Sequence, residues 1–123
     1  MSRPVRLLIV DDEDAIIRML TQFLTSRGYL VCWADRPPKC LAALDDFTDV
    51  RIVLLDFSAG APRLLRQIKQ KRPDVEVILM TGQGDEKLAR QSISLGAFAY
   101  LAKPLDLSIL EKLVEACIKR NHE

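Results

Sequence analysis

Three aspartates, a threonine and a lysine stand out, because each stands directly after a short apolar run or just behind another of the set. Asp11 and Asp12 follow VRLLIV (5–10), Asp56 follows RIVLL (51–55), Thr81 follows VEVILM (75–80) and Lys103 follows FAYLA (98–102). Carboxylates held close together repel one another and resist ionisation. Such a set makes sense around a hard divalent cation. Mg²⁺ (or Mn²⁺) takes oxygen ligands and keeps several waters, so two carboxylates and a carbonyl suffice. Lys103 adds a fixed positive charge. With those cations in place, one carboxylate can attack phosphorus as a nucleophile, and the cations then stabilise charge on the phosphoryl oxygens. Singly, each residue has a plainer reading: an Asp pair caps a helix, Asp56 ends a strand, Lys103 is a solvated charge. The combination argues for chemistry, since every polar group closes its own apolar run.

The intervening segments must bring these ends together. Helical spacing of apolar residues runs from Glu13 to Arg27, with Gly28 placed to cap it, then from Pro37 to Phe47, Pro62 to Arg72, Asp85 to Leu95 (closed by Gly96) and Asp106 to Lys119. Between them lie five strand-like runs, the second being Tyr29 to Trp33. Five βα units in succession predict an α/β fold with a parallel sheet and helices on both faces. The runs LLIV, IVLL and VILM lack polar alternation, as central strands buried on both sides do. Ligands in such a sheet bind beyond the carboxyl ends of the strands, which is where the five side chains fall.

Composition limits the rest. At 123 residues the chain fits one domain, with a core from about 5 to 119 and no effector domain expected. A formal net charge of +1 gives no general grip on nucleic acid or membrane. The start, MSRPVRLLIVDDED, meets carboxylates too soon for a secretory leader, and a cytoplasmic setting is expected. Cys32, Cys40 and Cys117 have no metal-ligand spacing and read as small buried hydrophobes. His122, the one histidine, stands next to the last residue and has no obvious anchor, which argues against a histidine-based triad or zinc site. Arg66, Lys69, Lys71 and Arg72 form a basic cluster read as a solvated helix face.

The stretches LLIVDDED (7–14), IVLLD (52–56), VILMTG (77–82) and AYLAKP (99–104) together resemble the receiver domain of two-component response regulators. That resemblance covers about residues 5 to 119. It implies a flavodoxin-like doubly wound (βα)₅ fold with strand order 2-1-3-4-5, and Asp56 as phospho-acceptor. It also implies Mg²⁺ held by Asp11, Asp12, Asp56 and the Ser58 backbone carbonyl, with Asp12 the more direct ligand of the acidic pair. Lys103 would pair with Asp56 or the phosphoryl group. Thr81 would bond a phosphoryl oxygen, and Tyr100 would change rotamer with it. Ser58 and Gln83 match positions that tune dephosphorylation, and the peptide before Pro104 would be cis. The implied donor is a sensor histidine kinase or phosphotransfer protein. The implied output is a downstream protein, or a second copy of the chain, on the face of helix four, strand five and helix five. Nothing beyond its own phosphoryl transfer and autodephosphorylation would be catalysed.

One stretch departs from that pattern. The family usually carries a Met-Pro pair and a glycine after the acceptor, whereas FSAGAPRLL looks shorter by about three residues. An alternative therefore stands beside the switch: a receiver fold kept as a non-switching interaction module. A haloacid-dehalogenase-like phosphatase would want a second Asp at Ser58, and a flavin carrier would want a phosphate loop where the acidic DDED stands.

Overall fold

A computed structural model describes residues 4–58 and 60–121. His122 lies outside them, so its expected lack of an anchor is not addressed. The apolar runs form five parallel strands: β1 (Arg6–Val10), β2 (Leu30–Ala34), β3 (Val50–Phe57), β4 (Glu76–Thr81) and β5 (Ala99–Ala102), in the order β2-β1-β3-β4-β5. Five helices separate and follow them: α1 (Asp14–Ser26), α2 (Pro37–Asp46), α3 (Ala61–Lys71), α4 (Glu86–Ser92) and α5 (Leu107–Asn121).

The central strands are apolar throughout because both faces are covered. Leu8, Val10, Val53, Leu55, Val77 and Leu79 pack with Leu44, Leu64, Leu65 and Ile68 of α2 and α3. Leu7, Ile9, Ile52, Leu54, Ile78 and Met80 pack on the other side with Leu20 and Leu24 of α1 and Leu110 and Val114 of α5. Alternate residues of each strand thus serve opposite cores, the period-two rule of a pleated strand. Cys32, Cys40 and Cys117 are buried in these cores. Burial pushes their thiols up, to about 11 for Cys32 and about 12 for Cys40 and Cys117, so they behave as hydrophobes.

Local chemistry ends the helices. After α1 the chain turns at Gly28 (φ +89), and the Tyr29 amide reaches back to the Leu24 carbonyl at 3.2 Å. That left-handed turn suits glycine, which has no Cβ to clash. Asp106 starts α5, its Oδ1 accepting from the amides of Ser108 (3.0 Å) and Ile109 (3.3 Å).

Two expectations need correction. The helix expected over Asp85 to Leu95 holds as α4 only to Ser92, and a single 3₁₀ turn then spans Ile93–Leu95. Ser92 Oγ donates to the Leu88 carbonyl (2.9 Å) and Ser94 Oγ to the Gln91 carbonyl (2.7 Å). Side-chain bonds to the backbone of this kind compete with the helical pattern. The basic cluster of α3 is likewise only partly a solvated face. Lys69 donates to the carbonyls of Pro73 (3.1 Å) and Val75 (2.7 Å), and Lys71 pairs with Asp45 at 2.8 Å. Arg72 reaches the carbonyls of Leu44 (3.3 Å), Thr48 (3.2 Å) and Val50 (2.9 Å), and also pairs with Asp74. It ties the end of α3 to the α2–β3 loop, using donors that a helical spacing argument does not place. Arg72→Ala removes the donor from these carbonyls, of which the Leu44 and Val50 contacts are half-buried, and a loss of about 1–3 kcal/mol is expected in urea unfolding. A change below about 0.5 kcal/mol would show that water replaces the guanidinium without penalty.

Candidate functional site

The strand register decides which ends meet. Val10 lies beside both Ala34 and Leu55, so Asp11 follows on between the residues that succeed β2 and Asp56 of β3. Asp56 itself pairs with Met80, one step before Thr81, and Thr81 pairs with Ala102, one step before Lys103. Asp56 therefore sits inside β3, and Thr81 is the last residue of β4, whereas the sequence reading placed both just beyond their strands. The extra strand residues hold both groups on sheet backbone rather than on loops, where positions are less exact.

Carboxylate oxygens of Asp11, Asp12 and Asp56 lie within 4.8 Å of one another. Lys103 Nζ donates to Asp56 Oδ1 at 2.7 Å and to Asp11 Oδ2 at 3.0 Å. At the end of β5 the Lys103 amide bonds the Thr81 carbonyl at 2.7 Å, which holds the lysine's backbone against β4. The Lys103–Pro104 peptide is cis, as the resemblance implies. Asp11 is fully buried at its side chain and also accepts from the Glu13 amide at 2.9 Å, which turns the chain from β1 into α1. Asp12 is exposed and Asp56 half-buried.

The electrostatics follow from this crowding. Burial pushes the Asp56 carboxyl up, its hydrogen bond from Lys103 pulls it back, and the charges of Asp11 and Asp12 push it up again; the net result is a rise. Burial depresses the Lys103 ammonium, but its bonds to Asp56 and Asp11 and their charges outweigh that and raise it. One cation thus stands against three carboxylates, a deficit that a divalent ion would remove. Such an ion suits this set, which is hard oxygen throughout.

A cavity of about 290 Å³ opens beside the acidic cluster, lined by Asp11, Asp12 and Asp56, by Ser58 of the β3–α3 loop, and by Asp35 and Arg36 of the β2–α2 loop. The Ser58 carbonyl accepts from the Ala61 amide at 2.9 Å as α3 begins. A carbonyl has two lone pairs, so one remains for a further ligand. Thr81 is fully buried, and its hydroxyl donates to the Leu101 carbonyl at 3.2 Å. Tyr100 is half-buried against the core, and Gln83 is exposed in the turn after β4. Neither lines the cavity.

Three charged neighbours, Glu13, Asp35 and Arg36, were missed from the sequence. Glu13 comes within 3.8 Å of Lys103, and Arg36 stands on the cavity wall. The sequence reading ended the second strand at Trp33, so Ala34 was next in line; the structure extends β2 through Ala34 and brings Asp35 and Arg36 to the rim.

Adding divalent cation tests the cluster without any phosphodonor. An ion that binds only the folded chain stabilises it, by about 2.7 kcal/mol at a hundred times its dissociation constant. The melting temperature is therefore expected to rise with Mg²⁺ or Mn²⁺ and to return on chelation. The rise should be small in Asp12→Asn, and an equal rise there would place the ion elsewhere.

A family model described as the response regulator receiver domain matches residues 7–115. Response regulator RR06 of Streptococcus pneumoniae is 33% identical over 121 residues, covering 94% of this chain and 54% of that protein. The DNA-binding transcriptional regulator NtrC of Salmonella typhimurium is 35% identical over 121 residues, again 94% of this chain but 25% of that protein. The chain thus spans from a quarter to a little over half the length of these curated relatives. Among solved structures, a response regulator receiver domain protein from Clostridium thermocellum superposes with a TM-score of 0.90 at 28% identity, over 96% of this chain and 97% of that one. The receiver domain of NtrX from Brucella abortus does so at 0.86 and 29%, over 92% and 98%. Among the described residues no helix is long and apolar enough to cross a membrane. The five-stranded topology, the acid cluster at the carboxyl edge of the sheet and these matches agree, and the chain belongs to the response regulator receiver domain family of two-component signalling systems.

Proposed function

We propose that this chain is one receiver unit, with its core at about 5–119, that works in the cytoplasm as a phosphorylation switch with Asp56 as the acceptor. The observation that carries the reading is Lys103 Nζ bridging Asp56 and Asp11 at 2.7 and 3.0 Å beside a cluster of three carboxylates. Bound Mg²⁺ (or Mn²⁺) would neutralise those carboxylates and polarise the phosphoryl group. Asp12, Asp11, Asp56 and the free lone pair of the Ser58 carbonyl would hold it. The Asp56 carboxylate attacks phosphorus as the bond from phosphorus to the donor's histidine nitrogen or acyl oxygen breaks and the electron pair leaves with the donor, and Lys103 moves from pairing the carboxylate to pairing a phosphoryl oxygen. The Thr81 hydroxyl leaves the Leu101 carbonyl for another phosphoryl oxygen. Tyr100, next to Leu101 on β5, then follows into the space that Thr81 vacates. Ser58 on the cavity wall and Gln83 in the turn after β4 tune dephosphorylation.

Such a switch moves a pre-existing equilibrium through a few new contacts. Its donor is a sensor histidine kinase or phosphotransfer protein, and its output is a protein partner or second copy on the α4–β5–α5 face, without direct contact to nucleic acid or membrane. The direct test is incubation with an acyl phosphate and Mg²⁺, followed by intact-mass and peptide analysis. One acid-labile phosphoryl group on the peptide holding Asp56 is expected. No incorporation from either a small donor or a phosphohistidine protein would sink the reading and leave a non-switching interaction module.

A further inference from the structure

Arg36 is the one basic side chain among those lining the cavity beside the acid cluster. Three other arginines are firmly engaged: Arg72 bonds three carbonyls, Arg27 pairs with Glu111 at 2.7 Å and Arg6 with Asp49 at 2.8 Å. Arg36 has only Asp35, at 4.0 Å, and Lys39 shares that carboxylate at 3.6 Å. Its side chain is two-thirds exposed and makes no side-chain hydrogen bond among the described residues. The backbone, in contrast, is set. Arg36 is the N-cap of α2 in extended conformation (φ −161, ψ 160), and the Pro37–Pro38 pair after it restricts it there. Those prolines also lack amide hydrogens. The first turn of α2, which borders the cavity through Pro37, therefore offers an anion fewer backbone donors than usual.

Charge counting shows what such a side chain is for. Three carboxylates face one lysine, and a bound divalent ion would bring the group to neutrality. Asp35 on the same wall is met by Lys39 at 3.6 Å, closer than Arg36 at 4.0 Å, so Arg36 is the basic group on the wall left to offset the negative charge of an incoming acyl phosphate. We infer that Arg36 is a substrate-binding residue that holds the phosphoryl oxygens of an anionic phosphodonor at the mouth of the cavity. A guanidinium suits that task, with planar paired donors and a charge that persists at all relevant pH. In the step it serves, an Asp56 oxygen forms a bond to phosphorus, the bond from phosphorus to the acyl oxygen breaks, and the electron pair leaves with the carboxylate product. Arg36 neither gives nor takes a proton.

This inference rests on the phosphoryl-acceptor reading, and one experiment separates the two. Initial rates of labelling are measured against acetyl phosphate concentration, with Mg²⁺ binding and melting temperature followed in the same proteins. Arg36→Ala is expected to raise KM about tenfold, the effect of one partly solvated charge-assisted bond, with the maximal rate changed less than twofold. Arg36→Lys should recover most of the loss. Phosphoramidate, whose nitrogen carries an offsetting positive charge, should be affected less. Mg²⁺ affinity and melting temperature should not fall. An unchanged KM in Arg36→Ala overturns this inference alone, and so does a raised KM that tracks weakened Mg²⁺ binding or lowered melting. A parent protein that takes up no phosphoryl group overturns the acceptor reading and this inference with it.

Discussion

Asp56→Asn takes up no phosphoryl group, yet in EDTA at neutral pH it melts about 2–5 °C above the parent. Loss of uptake follows from removing the nucleophile. The gain in stability follows from the site itself. Burial and the charges of Asp11 and Asp12 raise the Asp56 carboxyl in the fold, against the pull of Lys103. The folded chain thus holds this proton more tightly than the unfolded chain, and an ionised Asp56 costs stability at every pH above its folded value. As pH falls through that value the cost fades, and it is gone below the ordinary carboxylate value of 3.8. The advantage of asparagine should therefore be full at neutrality, shrink on acidification and vanish in acid. Mg²⁺ should reverse the ranking, because it stabilises the parent with three carboxylates more than the variant with two. Thermal melts from pH 7 to pH 4, with and without Mg²⁺, check both statements. Equal melting at pH 7, or an advantage that grows on acidification, would mean that Lys103 fully compensates the crowding.

Lys103→Met acts in the opposite sense. Its aliphatic stem still packs, but Asp11, which has no solvent contact at its side chain, and Asp56 lose their shared counter-charge. Removing one member of a buried charge group strands the others. Asp56 is partly open to water, so a loss of about 1–3 kcal/mol, or roughly 5–10 °C, is expected in EDTA. Mg²⁺ should restore much of it. Phosphoryl uptake should slow by about 10²–10³-fold, the usual consequence of deleting one donor aimed at developing charge. A double-mutant cycle with Asp56→Asn then isolates the pair. If the two changes add in stability, the 2.7 Å contact carries no coupling, and an unchanged rate of uptake in Lys103→Met would show that Lys103 has no part in the transfer.

Arg72→Ala, divalent-ion stabilisation and Arg36→Ala test regions that the sequence shows unequally. The placement of Asp11, Asp12, Asp56, Thr81 and Lys103 at one edge was legible because each closes a strand run or follows directly on one that does, and parallel βα units bring all carboxyl ends to one edge. Arg72 was misread because its partners are carbonyls 22 to 28 residues away. Helical periodicity reports which face a residue occupies and is silent on what a long flexible side chain finds there. The break after Ser92 was missed for a related reason: two serine hydroxyls turn back on the helix, and a hydrophobic pattern gives them no weight.

By itself, then, the amino-acid sequence determined the class of fold, the five polar groups at one rim and the types of ligand they suit. These follow from short-range rules: the two-residue period of strands, the 3.6-residue period of helices, and the polar residue that ends each run. Tertiary structure alone decided the register that places Asp56 inside β3, the forked reach of Lys103 to Asp11 and Asp56, and the presence of Arg36 on the cavity wall. Each of these depends on where separate elements lie in space, and no local periodicity encodes a distance between residues tens of positions apart.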